Sequence, residues 1–292
     1  MKKLIRSISS DIAGTICDPG VNAPKIAMMT AFNQYNIPIT KEQASIHSGL
    51  RKYEHINSIL EIPSVKGAFE VRHGRKIEDS DREVLYNNFY GIQKNILPEF
   101  CELFYGVRDT FDILRNSGIS YGLTSGYSRY LIDIVLQEFR KQGVNIEFSV
   151  GSDEVKHCRP HGAQIYKCLD EFGTQSYENV NIGDTEYDVE AGLNAGCWSL
   201  IVTDTGNMID ENIDESLHNR LMGYNFVRDL IVNQSKAHYI VDNFNAIIDV
   251  IEHINYRMDN GDLPGNSQKQ YVLFDNTISE KNNWFNRNQF LL

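Results

Sequence analysis

Asp11 stands just past a short apolar-leaning segment, residues 4–8, and opens the string Asp11-Ile12-Ala13-Gly14-Thr15. A carboxylate at the carboxyl edge of a parallel strand sits where open α/β sheets bind their ligands. There it could attack an electrophile, hold a metal ion or close a turn. Thr15 could orient that carboxylate or an anion, or cap a helix. Ser125-Gly126-Tyr127 lies between a strand-like and a helical stretch. Its hydroxyl and backbone N–H groups at a helix N-terminus suit an anion, although a capping turn has the same composition. Cys158-Arg159-Pro160 sets a permanent cation ahead of another helical stretch. Arg grips phosphate oxygens with paired donors, and in isolation it would read as a surface charge. Gly183-Asp184-Thr185-Glu186-Tyr187-Asp188 places two carboxylates four residues apart. That spacing suits one on Mg²⁺ and one behind it, or two acids favoured by a helix N-terminus. In combination the four segments compose a phosphoryl-transfer site.

A second constellation is Ser48-Gly49-Leu50-Arg51-Lys52-Tyr53-Glu54-His55. Lys52 and His55 are three residues apart and share one helix face. A Lys that attacks a carbonyl must be neutral, which burial or a nearby cation such as Arg51 favours. The plain alternative is a solvated Lys on a charged helix.

The elements that must position these groups alternate. Strands are expected at 119–123, 148–150, 180–182 and 198–202, with helical stretches at 130–139, 163–170 and after 185. That order predicts an α/β fold with a Rossmann-like parallel sheet. Residues 22–98 instead read as helices at 23–35, 41–47, 53–60 and 79–95, with no strand among them. The chain therefore divides into a core of 1–21 and 99–258, an inserted all-helical cap of 22–98 with hinges near Asp18-Pro19-Gly20 and Leu97-Pro98, and an extension of 259–292. Asp259 to Asn266 reads as a linker. The aromatic stretch after it, Tyr271 to Phe274 with Trp284 and Phe285, is expected to pack on the core or on a second subunit.

Bulk properties narrow the partners. A net charge of -11 over 292 residues argues against non-specific nucleic-acid binding and against an anionic membrane surface. No apolar run is long enough to span a bilayer. The five cysteines are scattered without a C-x-x-C pair, as expected of reduced thiols in a cytoplasmic protein.

The strings Asp11-Ile12-Ala13-Gly14-Thr15, Arg51 to Ile56, Ser125 to Arg129, Cys158 to Pro160, Gly183 to Asp188 and Ala237 to Asp242 resemble the phosphonoacetaldehyde hydrolase (phosphonatase) family of the haloacid dehalogenase superfamily. The resemblance covers residues from about 3 to 250. It implies that Asp11 is the nucleophile, that Asp11, the Ala13 carbonyl and Asp184 hold Mg²⁺, and that Asp188 supports them. It further implies that Thr15, Ser125, Gly126, Tyr127 and Arg159 bind a small phosphonate, that Lys52 forms an imine with His55 assisting proton transfer, and that the protein is a homodimer. The superfamily's usual Asp-x-Asp-x-Thr motif carries an acid for phosphate-ester leaving groups where this chain has Ala13, and an imine electron sink would replace it. The chain departs from the family at Ser48, where Met is usual, and at Ile12, where Trp is common. A superfamily phosphatase acting on a phosphate monoester and a non-catalytic phosphonate-binding protein are the alternative readings.

Overall fold

The structure is a computed structural model that describes residues 4–209, 217–274 and 277–281. Its centre is one eight-stranded sheet of β1 (Ser7–Ser10), β2 (Ser120–Thr124), β3 (Phe148–Val150), β4 (Asn179–Gly183), β5 (Trp198–Val202), β6 (Tyr239–Val241), β7 (Tyr271–Phe274) and β8 (Thr277–Glu280). The spatial order is β3-β2-β1-β4-β5-β6-β7-β8, parallel throughout except for the antiparallel β7–β8 pair. The chain leaves β1 toward β2 and β3, then returns to place β4 on its other side. Ligands of such sheets bind at this kind of reversal. The register aligns Ser10 with Leu123 and with Ile182. Asp11, Thr124-Ser125 and Gly183-Asp184 therefore emerge level with one another at the carboxyl edge.

Strand β1 lies slightly later than the apolar segment at 4–8 suggests. Its serines are buried because β4 presents matching amides. Ser7 Oγ donates to Asn179 Oδ1 at 2.9 Å, Ser9 Oγ donates to Asn181 Oδ1 at 2.8 Å, and Asn179 Nδ2 donates back to Ser9 Oγ at 3.0 Å. Buried hydroxyls without such partners would carry a desolvation penalty.

Between β1 and β2 run six α-helices and no strand among the described residues, and the first five form a layer of their own: α1 (Asn22–Gln34), α2 (Lys41–Ser45), α3 (Lys52–Leu60), α4 (Pro63–His73) and α5 (Asp79–Ile96). They bury an apolar cluster of their own that includes Phe32, Ile56, Leu60, Phe69, Leu85 and Phe89. Helix α4 escapes the sequence pattern for a physical reason. It buries only Val65 and Phe69, carries Gly67 in its interior and leaves Val71 89% exposed, so its apolar stripe is too thin to read. The remaining helices, α6 (Val107–Asn116), α7 (Arg129–Lys141), α8 (Ala163–Phe172), α9 (Glu186–Asn194), α10 (Leu217–Gln234) and α11 (Ile247–Asp259), connect the strands.

Part of the expected extension at 259–292 belongs to the sheet, since β7 pairs with β6 and β8 closes the edge. Val272 and Phe274 face one apolar cluster while Tyr271 and Leu273 face the main core. The return of the chain is pinned by Arg257 on α11. Its guanidinium lies 4.6 Å from the Trp198 ring centroid and 4.7 Å from that of Tyr271, and it pairs with Asp262 at 2.8 Å. Trp284 and Phe285 lie outside the described residues. If β7 is structural, Leu273→Ala costs about 2–5 kcal/mol, the range for truncating a buried aliphatic side chain. Urea denaturation checks this; a tail independent of the sheet would leave the midpoint unchanged.

Candidate active site

The backbone at Asp11 is held by β4, whose Ile182 carbonyl accepts from Asp11 N–H at 2.9 Å. Asp11 Oδ1 accepts from Arg159 Nη2 at 2.9 Å. The same nitrogen reaches the Thr124 carbonyl at 2.7 Å and Thr124 Oγ1 at 2.9 Å, and Nη1 pairs with Asp188 Oδ1. Burial opposes the charge on Arg159, but Asp11 and Asp188 hold it protonated above even its ordinary range. A cation on loop 158–160 is thereby locked beside the nucleophile candidate by groups from β1, β2 and α9.

Asp188 is occupied on both oxygens. Its Oδ2 accepts from Thr185 N–H at 3.1 Å and from Thr185 Oγ1 at 2.6 Å, the reciprocal cap that starts α9. Asp184 Oδ2 accepts from Asn207 N–H at 2.7 Å. Asp11, Asp184 and Asp188, all buried, present oxygens within 4.8 Å of one another. Burial pushes the Asp184 carboxyl well up, and Asp11 and Asp188 push it further. Burial also raises Asp188, to about 6, against the pull of Arg159. Three buried carboxylates face one guanidinium, so the cluster has negative charge to spare. A hard divalent cation would offset it, and Asp11 and Asp184 are the carboxylates placed to take it, since Asp188 has one oxygen on Arg159 and the other on Thr185. Gly14 makes room for this arrangement. Its φ is 80°, and a Cβ there would lie 2.5 Å from Asp184 Oδ2.

Lys52, the first residue of α3, is only 7% exposed. It lines the same cavity as Asp11, Ala13, Arg159 and Asp184, with Ser125, Gly126 and Tyr127 on the facing loop. Its Nζ lies 5.8 Å from the Tyr127 ring centroid. Burial brings the Lys52 ammonium down to about 8, with Asp11 working against the shift and Arg159 adding to it. His55 follows one helical turn later and is brought down to about 3, first by burial and then by the Lys52 charge. The Ile46 and Ala44 backbone beside its ring works against that shift, and His55 does not line the cavity. Thr15 is likewise buried behind the lining, with an unpartnered Oγ1. The structure thus brings Asp11, Ala13, Lys52, Ser125, Gly126, Tyr127, Arg159 and Asp184 together, sets Asp188 behind Arg159, and holds His55 and Thr15 one layer back.

Two glycines let the cap meet the core. Gly49 has φ 99°, and a Cβ there would sit 2.7 Å from Thr185 Oγ1; one on Gly126 would sit 2.7 Å from the Leu50 carbonyl. His47 Nδ1 lies 2.6 Å from Tyr187 Oη across the same seam. Ser48 and Val21 also line the cavity, whereas Ile12 is buried in the main core. Gly49, Thr124, Val21 and Asn207 also belong to the site, beyond the residues that the motifs assign to it. Only Gly49 carried a signal, being a glycine directly before the charged start of α3. Asn207 acts through its backbone and Thr124 partly so, which no side-chain pattern reveals.

Comparison with known proteins agrees with this geometry. Residues 10–202 match the profile described as haloacid dehalogenase-like hydrolase. The chain is 30% identical over 258 residues to phosphonoacetaldehyde hydrolase of Bacillus cytotoxicus, covering 86% of this chain and 96% of that one. It is 27% identical to phosphonoacetaldehyde hydrolase of Paraburkholderia xenovorans, over 90% of this chain and all (100%) of that one. Among solved structures, a phosphonoacetaldehyde hydrolase-like protein from Oleispira antarctica superposes with a TM-score of 0.85 at 27% identity, over 90% of this chain and 97% of that one. More distant neighbours, such as a β-phosphoglucomutase from Clostridium difficile at 14% identity and a TM-score of 0.63, share the fold. The chain is a haloacid dehalogenase-like hydrolase, and within that superfamily it belongs to the phosphonoacetaldehyde hydrolase family.

Proposed function

We propose that this hydrolase cleaves the C–P bond of phosphonoacetaldehyde, giving acetaldehyde and phosphate. The observation that carries the reading is a buried Lys52, its amine brought down to about 8, in one cavity with Asp11 and with Ala13 in place of an acid. A carbon leaving group departs from phosphorus only if its electron pair has somewhere to go. Lys52 supplies that place by condensing with the aldehyde, with loss of water, to a protonated imine. The Asp11 carboxylate then attacks phosphorus, the C–P bond breaks, and its electrons enter the imine to leave an enamine. Water hydrolyses the aspartyl-phosphate to phosphate and restores Asp11. The enamine takes a proton at carbon, and a second water releases acetaldehyde and Lys52.

Arg159, the Ser125 hydroxyl and the Gly126 backbone N–H serve as the cradle for the phosphonyl oxygens, the Ser125 N–H being taken by the Val150 carbonyl. Asp11, the Ala13 carbonyl and Asp184 are the groups that would hold Mg²⁺, which when bound neutralises charge on those oxygens. Asp188 keeps Arg159 aimed through their ion pair. Tyr127 walls the cavity beside the Lys52 amine, and its ring helps keep water away. Thr15, four residues past Asp11 and with a buried Oγ1 that no described residue engages, would orient the nucleophile. His55 stays neutral at working pH and, being next to Lys52, assists its proton transfers from behind the cavity wall.

The defining assay is product analysis with phosphonoacetaldehyde and Mg²⁺. Acetaldehyde and phosphate in equal amounts support the reading; no acetaldehyde, with phosphate released instead from phosphate monoesters, contradicts it. Lys52→Ala abolishes acetaldehyde release while the fold persists by circular dichroism. In wild type, kcat/KM rises with pH up to about 8, because only the neutral amine attacks, and a rise delayed to near 10.5 would mean an ordinary exposed Lys. Asp184→Asn weakens Mg²⁺ binding, followed by calorimetry, by at least the roughly 10–100-fold that outer partners of metal ligands are worth.

A further inference from the structure

The cap and core meet at a contact that the phosphonatase reading does not use. Arg51 sends its side chain out of the cap, immediately before Lys52, into the core loop that leads to Arg159. Its Nη2 lies 2.6 Å from the Ser152 carbonyl, 2.9 Å from the Val155 carbonyl and 3.2 Å from Cys158 Sγ. Cys158 Sγ turns inward as well, 3.1 Å from the Ser152 carbonyl. Arg51 also starts α3 from its own backbone, since the Arg51 carbonyl accepts from His55 N–H at 2.9 Å. One side chain thus grips the residue before the phosphonyl-binding cation, while its own backbone runs straight into the imine-forming amine.

We infer that Arg51 is a positioning residue, a latch that couples cap closure to the placement of Lys52 and Arg159 together. The inference rests on the phosphonatase reading for its catalytic consequence, but not for its structural one. When the latch is made, α3 is held down on the loop 152–158, and Lys52 is held in the cavity against the core-anchored Arg159 and Asp11. When it is broken, the two halves of the site lose their common tie, and misplacement of about 1 Å costs on the order of 100-fold in rate. The three acceptors cluster around a single guanidinium nitrogen. A Lys ammonium, with three donors on one nitrogen, meets the same arrangement, so Arg51→Lys rescues what Arg51→Ala loses.

The latch reports on itself through Cys158, which it covers. The other four cysteines, Cys17, Cys101, Cys168 and Cys197, are buried in the core. The experiment is iodoacetamide labelling of the full-length protein, read by mass spectrometry for each cysteine, alongside kcat and KM for phosphonoacetaldehyde. For Arg51→Ala we expect Cys158 to alkylate at least about tenfold faster than in wild type, the other cysteines to stay protected, and kcat to fall by on the order of 10–100-fold with a smaller change in KM. Arg51→Lys should return both readouts toward wild type. Unchanged Cys158 protection, or a reactive Cys158 with unaltered kcat, would overturn the latch, the second because Arg51 would then be only a local cover. Labelling of Cys168 and Cys197 in Arg51→Ala would signal unfolding, and the comparison then passes to Arg51→Gln with the same criteria. Wild type that turns over no phosphonoacetaldehyde would defeat the proposed function, yet Cys158 labelling would still decide the latch.

Discussion

The Arg159 guanidinium is the group on which the arrangement of this site depends. It is buried, and it binds Asp11 at the end of β1, Thr124 at the end of β2 and Asp188 at the start of α9. Three segments far apart in sequence are tied through one planar cation. Burying such a charge is costly unless its donors are met with good geometry. Here the cost is offset by two carboxylates and a threonine, and those same partners need the cation, because the carboxylates would otherwise repel one another across less than 5 Å. Removing Arg159 would leave the buried carboxylates without their cation, and removing Asp11, Thr124 or Asp188 would leave guanidinium donors unmet. The sheet register puts them level, and the ion-pair network turns that alignment into a rigid floor.

The cap supplies what the floor lacks. Asp11, Arg159 and Asp184 could handle a phosphoryl group, but none of them accepts the electron pair of a breaking C–P bond. Lys52 is carried in from a separate helical layer with its own apolar core, and burial brings its ammonium down to about 8. Gly49 and Gly126 make the closed seam possible, since any Cβ at either position would collide with the opposing wall. On the proposed mechanism, catalytic power depends on the burial of this single amine.

Much of this was legible in the sequence. The Asp11 string, the paired acids at 184 and 188, and alternating strands and helices mark an α/β sheet and its carboxyl edge because strand-end chemistry is local. Lys52 was legible only through resemblance, since a Lys on a charged helix looks solvated until tertiary packing buries it. The tail was legible only in part: the aromatic stretch 271–274 reads as packing on the core or on a second subunit, but not as a strand of the sheet. Strands β6 to β8 have three or four residues each, too few for a periodicity, and β7 joins the sheet through Arg257 and aromatic rings contributed from 198, 239 and 271. Residue types and spacing point His55 and Thr15 into the site, and their burial behind the cavity wall depends on helix rotation and loop curvature that residue types do not encode.

The most direct measurement is reductive trapping. Protein incubated with phosphonoacetaldehyde and Mg²⁺ is treated with borohydride, and the adduct is located by peptide mass spectrometry. A two-carbon adduct on Lys52, absent without substrate, is what the account requires. Folded protein that releases acetaldehyde yet carries no adduct on Lys52, or carries it on another lysine, would contradict the central claim that this buried amine is the electron sink.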